Sequence, residues 1–172
     1  TTAEDTLLNI DVLTGDTDVD GDPLSVTQIN GTAIAVGGSV AVTNGSVTLL
    51  ANGTLDFTPT LNYNGPVSFN YTVSDGSLTD TGNVTITVTA VNDAPVADDE
   101  LGLTTAEDTL LNIDVLTGDT DSEGDPLSVT QINGTGIAVG GSVAVANGSV
   151  TLLANGTLDF TPATNYNGPV SF

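Results

Sequence analysis

The stretch GSVAVTNGSVTLLANGTLDFTP, residues 38–59, decides the fold class of this chain. Valine, leucine and threonine alternate in it with small polar residues, and this period of two is typical of β-strands with one buried face. Its Asn44-Gly45 and Asn52-Gly53 pairs are typical of two-residue turns in which both residues have positive φ. The stretch is therefore predicted to form three antiparallel strands joined by two tight turns.

The residues that follow continue the β pattern. VSFNYTVSDG at 67–76 and NVTITVTAV at 83–91 indicate two longer strands, separated by a loop that contains Asp75, Gly76 and Gly82. No segment shows a helical period. About seven strands in roughly 100 residues are typical of a β-sandwich.

The start of the chain returns almost unchanged at its end. Residues 1–69 align with 104–172 without a gap, and 63 of the 69 positions are identical. A repeat of this length predicts tandem domains, and we place repeat 1 at 1–97 and an incomplete repeat 2 at 104–172. A semi-rigid linker at 91–103 contains Pro95. Three interpretations of the incomplete copy stay open: the chain is a piece of a longer protein, the sequence simply stops there, or another chain donates the missing strands.

The composition excludes several classes of protein. The chain has 22 acidic residues and no Lys, Arg, His or Cys, so its formal net charge is −22. Nucleic acids and anionic membrane surfaces would repel it, and zinc, haem and iron–sulfur sites lack their usual ligands. Catalysis by a histidine triad or a lysine Schiff base is excluded too. No apolar run is long enough to insert into a membrane. Carboxylate, hydroxyl and amide oxygens remain, and these are the ligands that Ca²⁺ prefers.

The acidic residues are concentrated in two regions. Residues 1–22 and 93–125 hold 18 of the 22. Within them, DTDVDGD at 16–22 and DTDSEGD at 119–125 place a carboxylate at every second position around a glycine. This pattern predicts calcium ligands at Asp16, Asp18, Asp20, Asp22, Asp119, Asp121, Glu123 and Asp125. An EF-hand is excluded because a threonine stands where its bidentate glutamate should be. The alternative is a solvated turn, since Asp and Gly are common turn residues.

The order of the motifs carries a family resemblance. AEDT at 3–6, the acidic loop at 16–22, NGTLDFTP at 52–59 and VTAVNDAP at 88–95 together resemble a cadherin repeat. They are most similar to the bacterial cadherin-like tandem repeats of giant calcium-dependent (RTX-type) surface adhesins. The resemblance implies tandem cadherin/Ig-like Greek-key sandwiches with Ca²⁺ bound between consecutive domains.

The resemblance also implies a calcium site at the junction of the two copies. Its ligands would be an acidic residue of the first strand, an Asn-Asp pair of the linker and two acids of the next domain: Glu4, Asn92, Asp93, and either Asp119 with Asp121 or Asp121 with Glu123. Asp16, Asp18, Asp20 and Asp22 would serve the junction with a preceding repeat. Ala90 stands where classical cadherin linkers carry an Asp, so fewer ions are expected per junction. Asp99 and its acidic neighbours are additional candidates.

These patterns predict a function in adhesion. We expect calcium-rigidified extender repeats of a secreted or cell-surface adhesin, which project a distal binding domain for cell adhesion or biofilm attachment. Their partners would be neighbouring repeats of the same or another chain. An enzyme is not expected, because the paired carboxylates lie in the repeated linker region. Two alternatives stay open: a filament subunit that uses a strand-exchange partner for repeat 2, and a module that binds carbohydrate or protein.

Overall fold

The computed structural model describes all 172 residues. It contains strands and turns but no helix, and therefore no helix that could cross a membrane. The chain divides into two compact units, Thr1–Val91 and Asn92–Phe172. The predicted all-β class is thus confirmed. Residues 92–103 of the predicted linker cluster with the second unit.

Unit 1 consists of two sheets that enclose one core. Its strands are β1 Thr2–Ala3, β2 Leu8–Ile10, β3 Ser25–Ile29, β4 Thr32–Ala33, β5 Ser39–Val42, β6 Gly45–Leu49, β7 Leu55–Pro59, β8 Gly65–Ser74 and β9 Thr79–Thr89. One sheet has the order β1-β9-β8-β3-β4 and the other β2-β7-β6-β5. The β1–β9 pair is parallel, and every other pair in this unit is antiparallel.

The core of unit 1 follows from the alternation in its strands. Leu55 and Phe57 of β7 are fully buried, while the ring of Phe57 stacks 6.5 Å from that of Phe69 in β8. The outward positions of β8 and β9 carry mainly Ser, Thr and Asn, which remain hydrated. Burying one face and leaving the other wet is what the period of two encodes.

The predicted three-strand meander is present as β5, β6 and β7, but its turns differ from the expectation. In the first turn only Asn44 has positive φ, at 60°, and Gly45 is already the first residue of β6. Gly45 is needed for another reason, because a Cβ there would lie 2.5 Å from the ring of Phe57. In the second turn only Gly53 has positive φ. The prediction of two positive φ values in each turn was therefore wrong.

The hairpin of β8 and β9 is also longer than predicted. Its loop spans only residues 75–78, so Gly82 lies inside β9 and not in the loop. Gly82 pairs with Tyr71 across the hairpin, and the Tyr71 ring lies over it at 2.3 Å from the position of a Cβ. A glycine here leaves room for the aromatic ring, which sequence alternation alone does not reveal.

Unit 2 keeps one of the two sheets. Its strands are β10 Leu111–Ile113, β11 Gln131–Ile132, β12 Thr135–Gly136, β13 Ser142–Val145, β14 Gly148–Leu152 and β15 Leu158–Pro162. The order β10-β15-β14-β13 reproduces β2-β7-β6-β5 with the same register. β11 and β12 pair only with each other, because this sequence repeats only the first five residues of β8, as residues 168–172, and not the Tyr71–Ser74 part that pairs with β3 in unit 1.

Candidate metal sites

The AEDT motif of unit 1 forms a tight turn that buries one carboxylate. Thr2 Oγ1 donates to the carbonyl of Thr6, and Thr6 Oγ1 donates to the carbonyl of Glu4. The Glu4 side chain is 3% exposed, and its Oε1 accepts the backbone N–H of Val91. Its Oε2 is buried and has no hydrogen-bond partner. Glu4 Oε2 therefore has no hydrogen bond within the protein to replace those that it would make with water.

The first acidic loop, residues 16–22, is held by one of its own carboxylates. Asp18 Oδ1 accepts the backbone N–H groups of Asp20 at 2.9 Å and Asp22 at 3.0 Å. This wraps the chain around Asp18, and the side chains of Asp20 and Asp22 stay exposed. The alternating acids are therefore ordered by backbone hydrogen bonds, as in an Asx turn.

Tyr71 ties the first acidic loop to the core. Its hydroxyl donates to Asp16 Oδ2 at 3.0 Å. Burial raises the pKa of the Tyr71 hydroxyl above its ordinary value, and the hydrogen bond to Asp16 and the charges of Asp16 and Asp80 raise it further. No sequence pattern indicates this contact, because the two residues lie 55 positions apart.

The second acidic loop, residues 119–125, has the same internal hydrogen bonds. Asp121 Oδ1 accepts the backbone N–H groups of Glu123 at 3.0 Å and Asp125 at 2.9 Å. The side chain of Asp125 is exposed, as that of Asp22 is in the first loop. The local sequence thus specifies this loop twice with the same geometry.

The linker lies against the second acidic loop. The backbone N–H of Asp93 donates to Glu123 Oε2 at 2.9 Å. Two carboxylate oxygens at this contact, Asp93 Oδ2 and Glu123 Oε1, are buried without a hydrogen-bond partner. Asn92 is exposed and donates through Nδ2 to the carbonyl of Asp93, and Asp99 is exposed with no hydrogen bond to its side chain.

Main-chain pairing adds to this linker contact. Val96 and Thr120 form an antiparallel bridge with hydrogen bonds of 2.8 and 2.9 Å. The backbone N–H of Asp98 donates to Asp119 Oδ1 at 2.8 Å. Sequence analysis had included Asp98 among the additional candidates, but it missed Val96 and Thr120, because backbone pairing leaves little trace in residue type.

The unpartnered oxygens fit a bound hard cation. An uncompensated buried carboxylate costs several kcal/mol, and the chain has no Lys, Arg or His to pair with Glu4, Asp93 or Glu123. Ca²⁺ takes six to eight oxygen ligands, many of them carboxylates. Of the predicted ligands in unit 2, Asp119 and Asp121 already accept backbone N–H groups, while Glu123 and Asp93 each keep one buried oxygen free.

Comparison with known proteins gives the family. Residues 1–87 and 92–172 each match the family model of the bacterial Ig domain. Searches of curated proteins and of solved structures returned no significant match. The finer resemblance to cadherin-like repeats of RTX-type adhesins stays a prediction. The two matches cover nearly the whole chain, which therefore belongs to the family of bacterial Ig domains as two tandem copies.

Proposed function

We propose that this chain is part of the extender of a secreted or cell-surface adhesin, in which tandem repeats hold a distal binding domain away from the cell. Bacterial Ig-like repeats are consistent with extender modules of surface proteins. The near-identity of residues 1–69 and 104–172 supports a spacer, because a spacer gains reach from copying one domain. A chain of folded domains resists compression better than a disordered linker of the same mass.

The proposal includes bound Ca²⁺ as the ion that stiffens the extender. Ca²⁺ bound by Glu4, Asp93 and Glu123 would neutralise carboxylates that have no other partner, and it would stiffen the junction to which the family resemblance assigns them. A ligand that binds only the folded state also stabilises it by mass action. Extracellular modules bind Ca²⁺ with dissociation constants of about 10⁻⁴ to 10⁻³ M, which suits a site loaded outside the cell.

One observation carries the calcium proposal: Asp93 Oδ2 and Glu123 Oε1 are buried and unpartnered in a chain without cationic side chains. The test combines calorimetric titration of Ca²⁺ with small-angle scattering in Ca²⁺ and in chelator. We expect saturable binding and an elongated particle that becomes flexible on chelation. Glu123→Gln should weaken binding by roughly tenfold or more, since it removes a charged ligand.

Asp159→Asn is the matched control. Asp159 lies in β15 of the same unit and accepts a hydrogen bond from Asn112 Nδ2 at 2.8 Å, a role in which an amide oxygen can replace the carboxylate. The Ca²⁺ affinity of the Asp159→Asn variant should equal that of the wild type. An unchanged scattering profile, together with no Ca²⁺ uptake, would refute the proposal and favour the filament or ligand-binding alternatives.

A further inference from the structure

We propose that the first acidic loop is a docking site for a linker segment supplied by another copy of the repeat. The linker segment is defined here as Asn92–Asp98, with the sequence Asn-Asp-Ala-Pro-Val-Ala-Asp. In an extender it would come from the neighbouring repeat, and in solution it can be offered as a separate peptide. The inference extends the proposed function but rests on backbone pairing and not on the bound cation.

The second acidic loop shows what docking consists of. The linker segment pairs Val96 with Thr120 through two backbone hydrogen bonds, and the N–H of Asp98 donates to Asp119 Oδ1. The Asp98 carboxylate lies above Gly118, where its Oδ2 is 2.9 Å from the position that a Cβ would occupy. This is short-range strand addition, in which main-chain hydrogen bonds give affinity.

The first acidic loop offers the same surface. Five of its seven residues are identical to those of the second loop, and Asp18 holds it as Asp121 holds the other. The glycines that precede the loops have similar backbones, with φ of 96° at Gly15 and 103° at Gly118. A segment that fits the second loop therefore meets the same backbone geometry in the first.

The groups that would receive the segment are free in the first loop. Thr17, which corresponds to Thr120, is exposed, and its N–H and carbonyl form no hydrogen bond. Asp16 corresponds to Asp119 and uses only Oδ2, on Tyr71, so that Oδ1 is left to accept an N–H. No atom lies within 4 Å of a Cβ at Gly15. A cleft of about 470 Å³ borders Gly15, Asp16 and Thr17.

The residue that would accept the N–H of Asp93 differs between the loops. Glu123 accepts the N–H of Asp93, whereas the first loop has the shorter Asp20 at that position. The Asp20 side chain is one methylene shorter than that of Glu123, so its carboxylate lies further from the N–H that it would accept. The first loop should therefore bind the segment less tightly. Asp20→Glu is therefore expected to increase the affinity severalfold, which is a result that a nonspecific charge effect would not give.

The experiment measures the binding of a fluorescent peptide with the sequence of residues 89–99 to the 172-residue chain by anisotropy. A few backbone hydrogen bonds predict a dissociation constant on the order of 0.1–1 mM. N-methylation at Val96 removes a paired N–H and should weaken binding roughly tenfold. The matched control is the peptide N-methylated at Ala97, whose N–H donates no hydrogen bond; it should bind like the parent peptide.

Thr17→Pro locates the site, because it removes the N–H of the receiving residue. Binding should be lost in this variant, while circular dichroism reports whether the fold is kept. The two methylated peptides keep the test decisive even if that variant unfolds. Equal affinity of these peptides, or no binding at millimolar concentration in Ca²⁺ and in chelator, would overturn the inference.

Two outcomes separate this inference from the proposed function. Ca²⁺ uptake and stiffening without peptide binding would overturn the docking site and leave the calcium extender standing. Peptide binding with the expected Val96 dependence, but equal in Ca²⁺ and chelator, would support the docking site and count against a calcium role at this loop.

Discussion

Residues 1–69 and 104–172 are nearly the same sequence in two different surroundings. The meander sheet is the same in both, strand for strand and pair for pair. The second sheet is not: β3 has five residues in unit 1, and β11, its counterpart, has two. β3 pairs with residues 71–74 of β8, and these residues have no counterpart in unit 2. Local sequence therefore specifies the meander, while the second sheet depends on a distant hairpin.

The same comparison explains two differences in burial. Val26 is 6% exposed, but Val129 is only partly buried. Glu4 is buried beneath the N–H of Val91, but Glu107 is exposed. Neither pair differs in residue type, so each difference comes from what packs against the residue.

The largest expected effect tests the part that the two units share. Phe57→Ala should lower the free energy of unfolding of unit 1 by about 3–5 kcal/mol, because it empties a fully buried position. Phe160→Ala should cost unit 2 somewhat less, since Phe160 is 6% exposed. Urea unfolding followed by hydrogen exchange and mass spectrometry resolves the two units. Equal losses would mean that the second sheet contributes little to packing around Phe57.

A smaller effect is expected from adding a methyl group where the backbone approaches an aromatic ring. Gly45→Ala and Gly148→Ala should each destabilise their unit by about 1–3 kcal/mol, because the new Cβ would lie about 2.5–2.6 Å from the ring of Phe57 or Phe160. Gly136→Ala is the control, with nothing within 4 Å and an alanine at the equivalent position of repeat 1. Its unfolding midpoint should not move; a large shift would contradict the explanation by ring contact.

A comparison of Val26→Ala with Val129→Ala tests the difference in burial between the two units directly. Removing two buried methylene equivalents should cost unit 1 about 1.5 kcal/mol. The same change in unit 2 should cost less than half as much, because Val129 keeps solvent contact. Equal costs in urea unfolding would show that β8 does not create this burial.

The smallest expected effect is a pH dependence confined to unit 1. The pKa of Tyr71 is raised in the folded state, so folding binds the phenolic proton more tightly. The associated stability is present below the unfolded pKa of about 10 and is lost as the pH rises through the folded value. Unit 1 should therefore lose stability above pH ~10, and Tyr71→Phe should lose less. Unfolding curves of the wild type and of Tyr71→Phe, measured below and above pH ~10, provide the check.

Much of this molecule could be predicted from the sequence. Alternation at 38–59 specified three strands, because a sheet with one buried face needs apolar residues at every second position. The absence of Lys, Arg and His from the sequence excluded an ion pair with a cationic side chain for every carboxylate. The spacing in DTDVDGD and DTDSEGD placed the acidic residues in loops that Asp18 and Asp121 hold together by local hydrogen bonds.

Tertiary structure decided what depends on distant backbone. It placed the Tyr71 hydroxyl on Asp16 and laid Val96 against Thr120. It also set Gly45 and Gly82 beneath aromatic rings, whereas their sequence context had indicated a turn and a loop. A period of two tells which face of a strand is buried. It does not tell which strand or linker will pair with it, because backbone N–H and C=O groups are the same in every residue but proline.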